Sequence, residues 1–146
     1  MLPEAFLKRM ENQLGAEYPE FLKSLERPRA VALRFNPLKG EIHQLPFVGE
    51  QVPWEPMGYY YDPASRPGLH PYHEAGVYYL QEASAMSAVA LLDPKPGERI
   101  CDLCAAPGGK SFSAAFAMED KGEIVSCDLH ENKLKRIQEG AARLGL

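Results

Sequence analysis

Residues 101–111 read Cys101-Asp102-Leu103-Cys104-Ala105-Ala106-Pro107-Gly108-Gly109-Lys110-Ser111. The stretch joins two elements of different period. Before it, "ERICDL" (98–103) is a short apolar run of the kind that forms a buried strand. After it, "GGKSFSAAFAMED" (108–120) carries helical spacing. A second pair follows: "GEIVSCD" (122–128) reads as a strand and "HENKLKRIQEGAARLGL" (130–146) as a helix. Strand–helix–strand–helix at this spacing predicts parallel strands joined by right-handed crossovers, the opening of an α/β, Rossmann-like, doubly wound sheet. Two parallel strands with two helices leave apolar surface uncovered, because parallel sheets need both faces buried. The expectation is therefore a sheet that continues past Leu146, with this chain the truncated N-terminal portion of a longer protein.

Upstream the rhythm differs. "PEAFLKRMENQL" (3–14) spaces Phe6, Leu7, Met10 and Leu14 for a helix, with Pro3 in its first turn and Gly15 as a stop. "YPEFLKSL" (18–25) gives a second short helix. "AVALRF" (30–35) alternates, with Val31, Leu33 and Phe35 on one side and Ala32 and Arg34 on the other; the strand ends at Asn36-Pro37. Residues 37–71 are rich in Pro and Gly, with short strands expected near 46–48 and 57–61. "GVYYLQ" (76–81) reads as a strand and "EASAMSAVALLD" (82–93) as a helix stopped by Asp93-Pro94-Lys95-Pro96-Gly97. The division expected is a small α+β region over 1–71 and the first part of the doubly wound domain over 72–146.

Composition bounds the function without naming it. With 45 % hydrophobic and 25 % charged residues the chain is ordinary globular material. A formal charge of −4 argues against a polycation that coats nucleic acid, though not against a local basic patch. No apolar run reaches membrane-spanning length, and the start has neither the composition nor the apolar core of a signal peptide. Three cysteines, an odd number, suit reduced thiols in a cytoplasm.

The 101–111 stretch admits three chemistries. A phosphate cradle requires Gly, four residues, then Gly-Lys-Ser/Thr, but Cys104 stands where the first glycine belongs and Pro107 removes a backbone donor. A metal or redox Cys-x-x-Cys needs partner ligands or a helix start; Cys127 is the only other cysteine and no His follows at ligand spacing, so no metal site is expected. Cys101 and Cys127 then read as small buried apolar residues. The third chemistry is a nucleoside-cofactor loop at the carboxyl end of the first parallel strand. Ala105, Ala106, Gly108 and Gly109 permit close approach to the backbone. Asp128 closes the second strand about 20 residues on, where an acid accepts from ribose hydroxyls. Asp128 also reads as an N-cap for the last helix, and the two roles are compatible. The absence of Gly-x-Gly-x-x-Gly favours a smaller adenosine-bearing cofactor such as S-adenosylmethionine over a dinucleotide.

"DLCAAPGGKS" (102–111) resembles the cofactor motif of the Sun-type (Nol/Nop/Sun) RNA cytosine-5 methyltransferases, Asp-x-Cys-Ala-Ala-Pro-Gly-Gly-Lys-[Ser/Thr]. Three further segments are similar to that family in order: "LRFNPLKG" (33–40), "YLQEASAM" (79–86) and "SCDLHENKLKRIQEGAARLG" (126–145). The resemblance covers essentially the whole chain and is strongest to the bacterial ribosomal-RNA members. It implies a cysteine that adds to C6 of a flipped-out cytosine, methyl transfer to C5 from S-adenosylmethionine, and a second cysteine that assists release. The family's cysteines sit in Asp-x-Pro-Cys and Thr-Pro-Cys motifs, neither of which occurs here, so no catalytic residue is expected in this chain and the chain alone is expected to be inactive. What the resemblance implies for these residues is half a cofactor site: Cys104, Ala105, Ala106, Pro107, Gly108, Gly109 and Lys110 around the methionine and ribose, and Asp128 on the ribose. Lys110 is a candidate for an assisting role, toward the methionine carboxylate or the cytosine, its alternative being a solvated lysine at a helix start, poor dipole placement for a cation. The implied partner is RNA, ribosomal or transfer, with no membrane. Arg34, Asn36 and Lys39 are candidates for phosphate contacts or for a solvated strand edge. Tyr59, Tyr60, Tyr61, Tyr72, Tyr78 and Tyr79 could stack bases but read better as half-buried core. Gln81 and Glu82 read as N-terminal capping residues of the following helix. Two other classes stay open on the residues alone: a P-loop-like nucleotide hydrolase and a non-catalytic RNA-binding module.

Overall fold

The structure is a computed structural model that describes residues 2–41 and 45–146. Two amphipathic helices open it, α1 (Glu4–Leu14) and α2 (Tyr18–Glu26), separated by a 3-10 turn at Gly15–Glu17. Gly15 stops α1 at a positive φ of 51°, which its missing side chain permits. Neither helix buries a residue; Phe21 meets Phe6 and Tyr18 at ring-centroid distances of 6.3 Å.

Four strands form one antiparallel sheet in the order β2-β3-β1-β4: β1 (Ala32–Phe35), β2 (Val48–Gln51), β3 (Gly58–Tyr61) and β4 (Tyr78–Leu80). A short helix, α3 (Pro71–Glu74), precedes β4. Strand β1 is central, pairing Leu33 with Tyr59 on one side and with Leu80 on the other. Its expected alternation holds, but both faces are buried. Leu33 and Phe35 pack with Leu45, Val77 and Tyr78, while Ala32 packs with Val52 and Met86 of α4 (Ala83–Leu92). Strand β4 lies in the span that sequence reading gave to the second domain, yet it hydrogen-bonds to β1.

The second sheet has two parallel strands, β5 (Arg99–Asp102) and β6 (Glu123–Ser126), in register from Arg99↔Glu123 to Asp102↔Ser126. Helix α5 (Gly109–Ala117) crosses between them and α6 (Glu131–Leu144) follows. This is the expected opening of a doubly wound sheet. One face, Ile100, Asp102, Ile124 and Ser126, is half-buried. The other carries exposed Arg99, Cys101, Glu123 and Val125, with Arg99 Nε 2.7 Å from Glu123 Oε2. The expectation that Cys101 and Cys127 are buried is thereby corrected: all three cysteines are exposed, because both of these lie on or beyond a sheet with only one covered face.

The two sheets lock together at the end of α6. Asn36 is fully buried and its Nδ2 donates to Leu144 O and Gly76 O, both at 2.8 Å. Lys39 Nζ donates to Arg143 O at 2.7 Å and Ala75 O at 3.0 Å, a cation placed on a helix C-terminus. Arg143 in turn donates to His73 O. Gly76 (φ 73°) makes the approach possible, since a Cβ there would sit 1.9 Å from Arg143 O. Asn36 and Lys39 are thus interlock residues rather than phosphate contacts or a solvated edge. Among the described residues, no helix is long and apolar enough to cross a membrane.

Candidate functional site

The loop between β5 and α5 is shaped by its own polar groups. Cys127 N donates to Asp102 O and Ala105 N to Cys127 O, so the parallel ladder runs on past both strands. Cys104 N donates to Asp102 Oδ1 at 3.3 Å. Gly108 N donates to Ala105 O at 2.6 Å, closing a turn over a cis Ala106–Pro107 peptide. Gly108 has φ 109°, and a Cβ there would lie 2.2 Å from the Phe112 ring, so only glycine fits. Ala105 and Gly108 are buried; Cys104, Pro107 and Lys110 are exposed.

Four of the loop's N–H groups are held by partners within the protein, those of Cys104, Ala105 and Gly108 as above and that of Ala106 by Asp128 Oδ2, and Pro107 has none. A phosphate nest needs such groups free and convergent. The P-loop reading fails on this geometry as well as on the Cys104 mismatch.

Asp128 reaches the loop directly. Its Oδ2 accepts from Ala106 N and its Oδ1 from His130 N, both at 3.2 Å, and Lys133 Nζ lies 3.4 Å from Oδ1. The His130 N–H holds this carboxyl below the usual aspartate range, aided by the Ala106 N–H and Lys133 and opposed by partial desolvation. The N-cap of α6 is His130, not Asp128, so Asp128 bridges the two strand-end loops instead of capping the helix. Beneath, Ser111 Oγ donates to Asp102 Oδ2 at 2.8 Å and Ser126 Oγ to Ser111 Oγ at 2.8 Å. Asp102 and Ser126 thereby fix the start of α5 from below.

Lys110 occupies the first turn of α5 and has no hydrogen-bond or ion-pair partner among the described residues. It lines a cavity of about 270 Å³ together with Asp102, Leu103, Ile100 and Val89. Cys104 does not line this cavity; it joins the loop through its N–H to Asp102 Oδ1, and its exposed thiol is free of any disulfide. Partial desolvation, with Cys127 and Asp102 nearby, pushes the Cys101 thiol up, away from a reactive thiolate.

Three residues act differently from their sequence reading. Arg34 is 2 % exposed: its Nη2 lies 2.9 Å from Glu55 Oε2, an ion pair in distance although the N–H direction misses the oxygen. Burial lowers the Arg34 pKa and Glu55 opposes that. Gln81 does not cap α4. It is buried, and it meets Arg34, Ser113 and Gly109. Glu82 precedes α4 without a capping hydrogen bond and pairs with Arg29. The tyrosines follow the core reading: Tyr59, Tyr60, Tyr61 and Tyr79 are half-buried and Tyr78 fully buried, its hydroxyl donating to Pro67 O at 2.6 Å with its pKa raised to about 12 by burial. Tyr72 is exposed. Buried Gln81 was missed as a site neighbour because its partners lie 28 to 47 residues away.

Comparison with known proteins gives this geometry a context. Residues 2–83 match the N-terminal domain of 16S rRNA methyltransferase RsmF, and residues 89–146 match 16S rRNA methyltransferase RsmB/F. The human 28S rRNA (cytosine(4447)-C(5))-methyltransferase is 37 % identical over 140 residues, 90 % of this chain and 17 % of that protein. Ribosomal RNA small subunit methyltransferase F of Klebsiella pneumoniae is 31 % identical over 160 aligned positions, 99 % of this chain and 33 % of that protein. A solved methyltransferase homolog from Pyrococcus horikoshii superposes with a TM-score of 0.80 at 30 % identity, covering 99 % of this chain and 54 % of that one. The chain thus spans a third or less of the length of these two curated relatives. Its two matched regions, its alignment with full-length relatives and its fold agree: the chain belongs to the Sun-type RNA cytosine-5 methyltransferase family, at the N-terminal portion that includes the bacterial RsmF and RsmB ribosomal-RNA enzymes.

Proposed function

We propose that this chain is the S-adenosylmethionine-binding N-terminal part of a ribosomal-RNA 5-methylcytosine methyltransferase acting in the cytoplasm. The observation that carries the reading is the Ala106 N–Asp128 Oδ2 contact of 3.2 Å, which sets a small-residue loop and an acid side by side at the carboxyl ends of two parallel strands. The residues suit the cofactor. Gly108 admits no side chain, and an ionised carboxylate offers about four acceptor sites, more than its two backbone donors and Lys133 use.

In this reading Asp128 accepts from the ribose hydroxyls. Cys104, Ala105, Ala106, Pro107, Gly108 and Gly109 present backbone to the methionine and ribose portions. Lys110, with its ammonium unpaired among the described residues, neutralises the methionine carboxylate or faces the cytosine. When bound, S-adenosylmethionine supplies the methyl group. The cysteine that attacks C6 belongs to a part of the enzyme other than this chain, since neither Asp-x-Pro-Cys nor Thr-Pro-Cys occurs in it. Region 1–71 is the RNA-contacting part and 72–146 the first part of the cofactor domain.

Titration calorimetry of S-adenosylmethionine and its demethylated product into the protein and its Asp128→Ala variant tests this. Binding to the unmodified protein, weakened about 10- to 100-fold in the variant by loss of charge-assisted hydrogen bonds, is the expected result. An unmodified protein that binds neither compound, or a variant that binds as well, overturns the assignment.

A further inference from the structure

We propose that Gln81 is a positioning residue for the cofactor loop, through which the antiparallel sheet sets the start of α5. The inference rests on the cofactor reading above. Gln81 lies just past β4, 8 % exposed, and its side-chain amide bridges two groups of fixed polarity. Arg34 Nε, which can only donate, sits 3.2 Å from Gln81 Oε1; Gly109 O, which can only accept, sits 3.2 Å from Gln81 Nε2. One amide orientation satisfies both, so the network itself assigns the oxygen and nitrogen. Ser113 Oγ completes the corner at 2.8 Å from Gly109 O and 3.2 Å from Gln81 Oε1.

The chain of contacts runs further into the first sheet. Glu55 Oε2 holds Arg34, while Glu55 Oε1 accepts from Met57 N at 3.0 Å at the entry to β3. Arg34, Glu55, Gln81 and Ser113 are all buried, so each member is costly to unpair. Its far end is the carbonyl of Gly109, one residue before Lys110 and one after Gly108. Gly109 is also in tight approach: a Cβ there would lie 3.2 Å from Gln81 Nε2 and 3.3 Å from Tyr79 Cε1. A carboxylate at position 81 would keep the Arg34 contact and place an oxygen against the Gly109 oxygen. The amide is therefore the chemistry this position requires, and its effect falls on the loop rather than on the sheet.

The test compares the protein with Gln81→Glu and Gln81→Leu. Three readouts are taken: S-adenosylmethionine affinity by calorimetry, thermal midpoint, and amide hydrogen exchange at residues 109–113. Gln81→Glu, which preserves size and the Arg34 acceptor and so remains readable if Gln81→Leu fails to fold, is expected to bind three- to tenfold more weakly at temperatures where it is fully folded. Its amides at 109–113 exchange faster. A role confined to stability would lower the thermal midpoint and leave affinity and local exchange unchanged, and that result overturns the proposal. If the unmodified protein binds no cofactor, the functional reading fails by itself. Exchange at 109–113 then decides this inference alone: faster in Gln81→Glu sustains it, unchanged defeats it.

Discussion

Strand β1 is buried on both faces along its whole length; strand β5 is covered on one face only. The difference teaches where each sheet keeps its polar groups and why. In the antiparallel sheet, polar side chains are sealed in and paired: Arg34 with Glu55 and Gln81, Asn36 with two carbonyls. In the parallel pair, Asp102, Ser126 and Asp128 at the strand ends and Ser111 in the first turn of α5 spend their oxygens and hydroxyls on shaping a loop. The first region is a packed sheet whose buried polar groups tie its elements to one another. The second is a loop at two strand ends whose shape its own polar groups set.

The largest expected effect lies in the sealed region. Arg34→Met leaves Glu55 buried without its cation and Gln81 Oε1 without that donor, and breaking a buried ion pair from one side costs about 3–5 kcal/mol. At roughly 2–4 °C per kcal/mol for a chain of this size, the melting temperature falls by about 6–20 °C. A drop of a degree or two would mean the pair is solvated and the comparison misdrawn.

Acid sharpens the contrast from the other side. The Asp128 carboxyl titrates below its unfolded value, so the tether it makes to Ala106 and His130 is fully present above roughly pH 4 and is lost as pH falls through its lowered native value. Protection of the Ala106 and His130 amides, taken against their intrinsic exchange rates at each pH, is expected to fall together on acidification, ahead of any change in β1. Simultaneous loss at β1 would show the two regions to be one cooperative unit.

The smallest effect belongs to the uncovered face. Val125 is 47 % exposed, and Val125→Ser is expected to change stability by no more than about 0.5 kcal/mol, read by denaturant unfolding. A loss above 1 kcal/mol would mean that face is covered in solution.

Much of this was legible beforehand, for physical reasons. Helices α1, α2, α4, α5 and α6 and the central strand announce themselves through period, and Gly15 and Pro94 mark their stops. The loop and Asp128 were legible because strand-end position and small side chains are local properties. The interlock was not. Asn36 and Leu144 are 108 residues apart, and nothing local separates an asparagine that accepts water from one that closes a helix end. Arg34 looked like a surface base because its neutralising Glu55 comes from a loop. Cys101 looked buried because a short apolar strand does not say whether its second face has a neighbour. Gln81 and Glu82 stand at a helix start, where capping is the simplest role, yet one turns inward to the Gly109 carbonyl and the other outward to Arg29.

The most direct test of the central claim is a map of backbone amide shifts as S-adenosylmethionine is added. The account predicts that the largest changes fall at Cys104–Ser111 and Asp128–His130, with β1 and β3 unmoved. Changes centred on the antiparallel sheet, or on the exposed β5–β6 face around Cys101 and Val125, would contradict it.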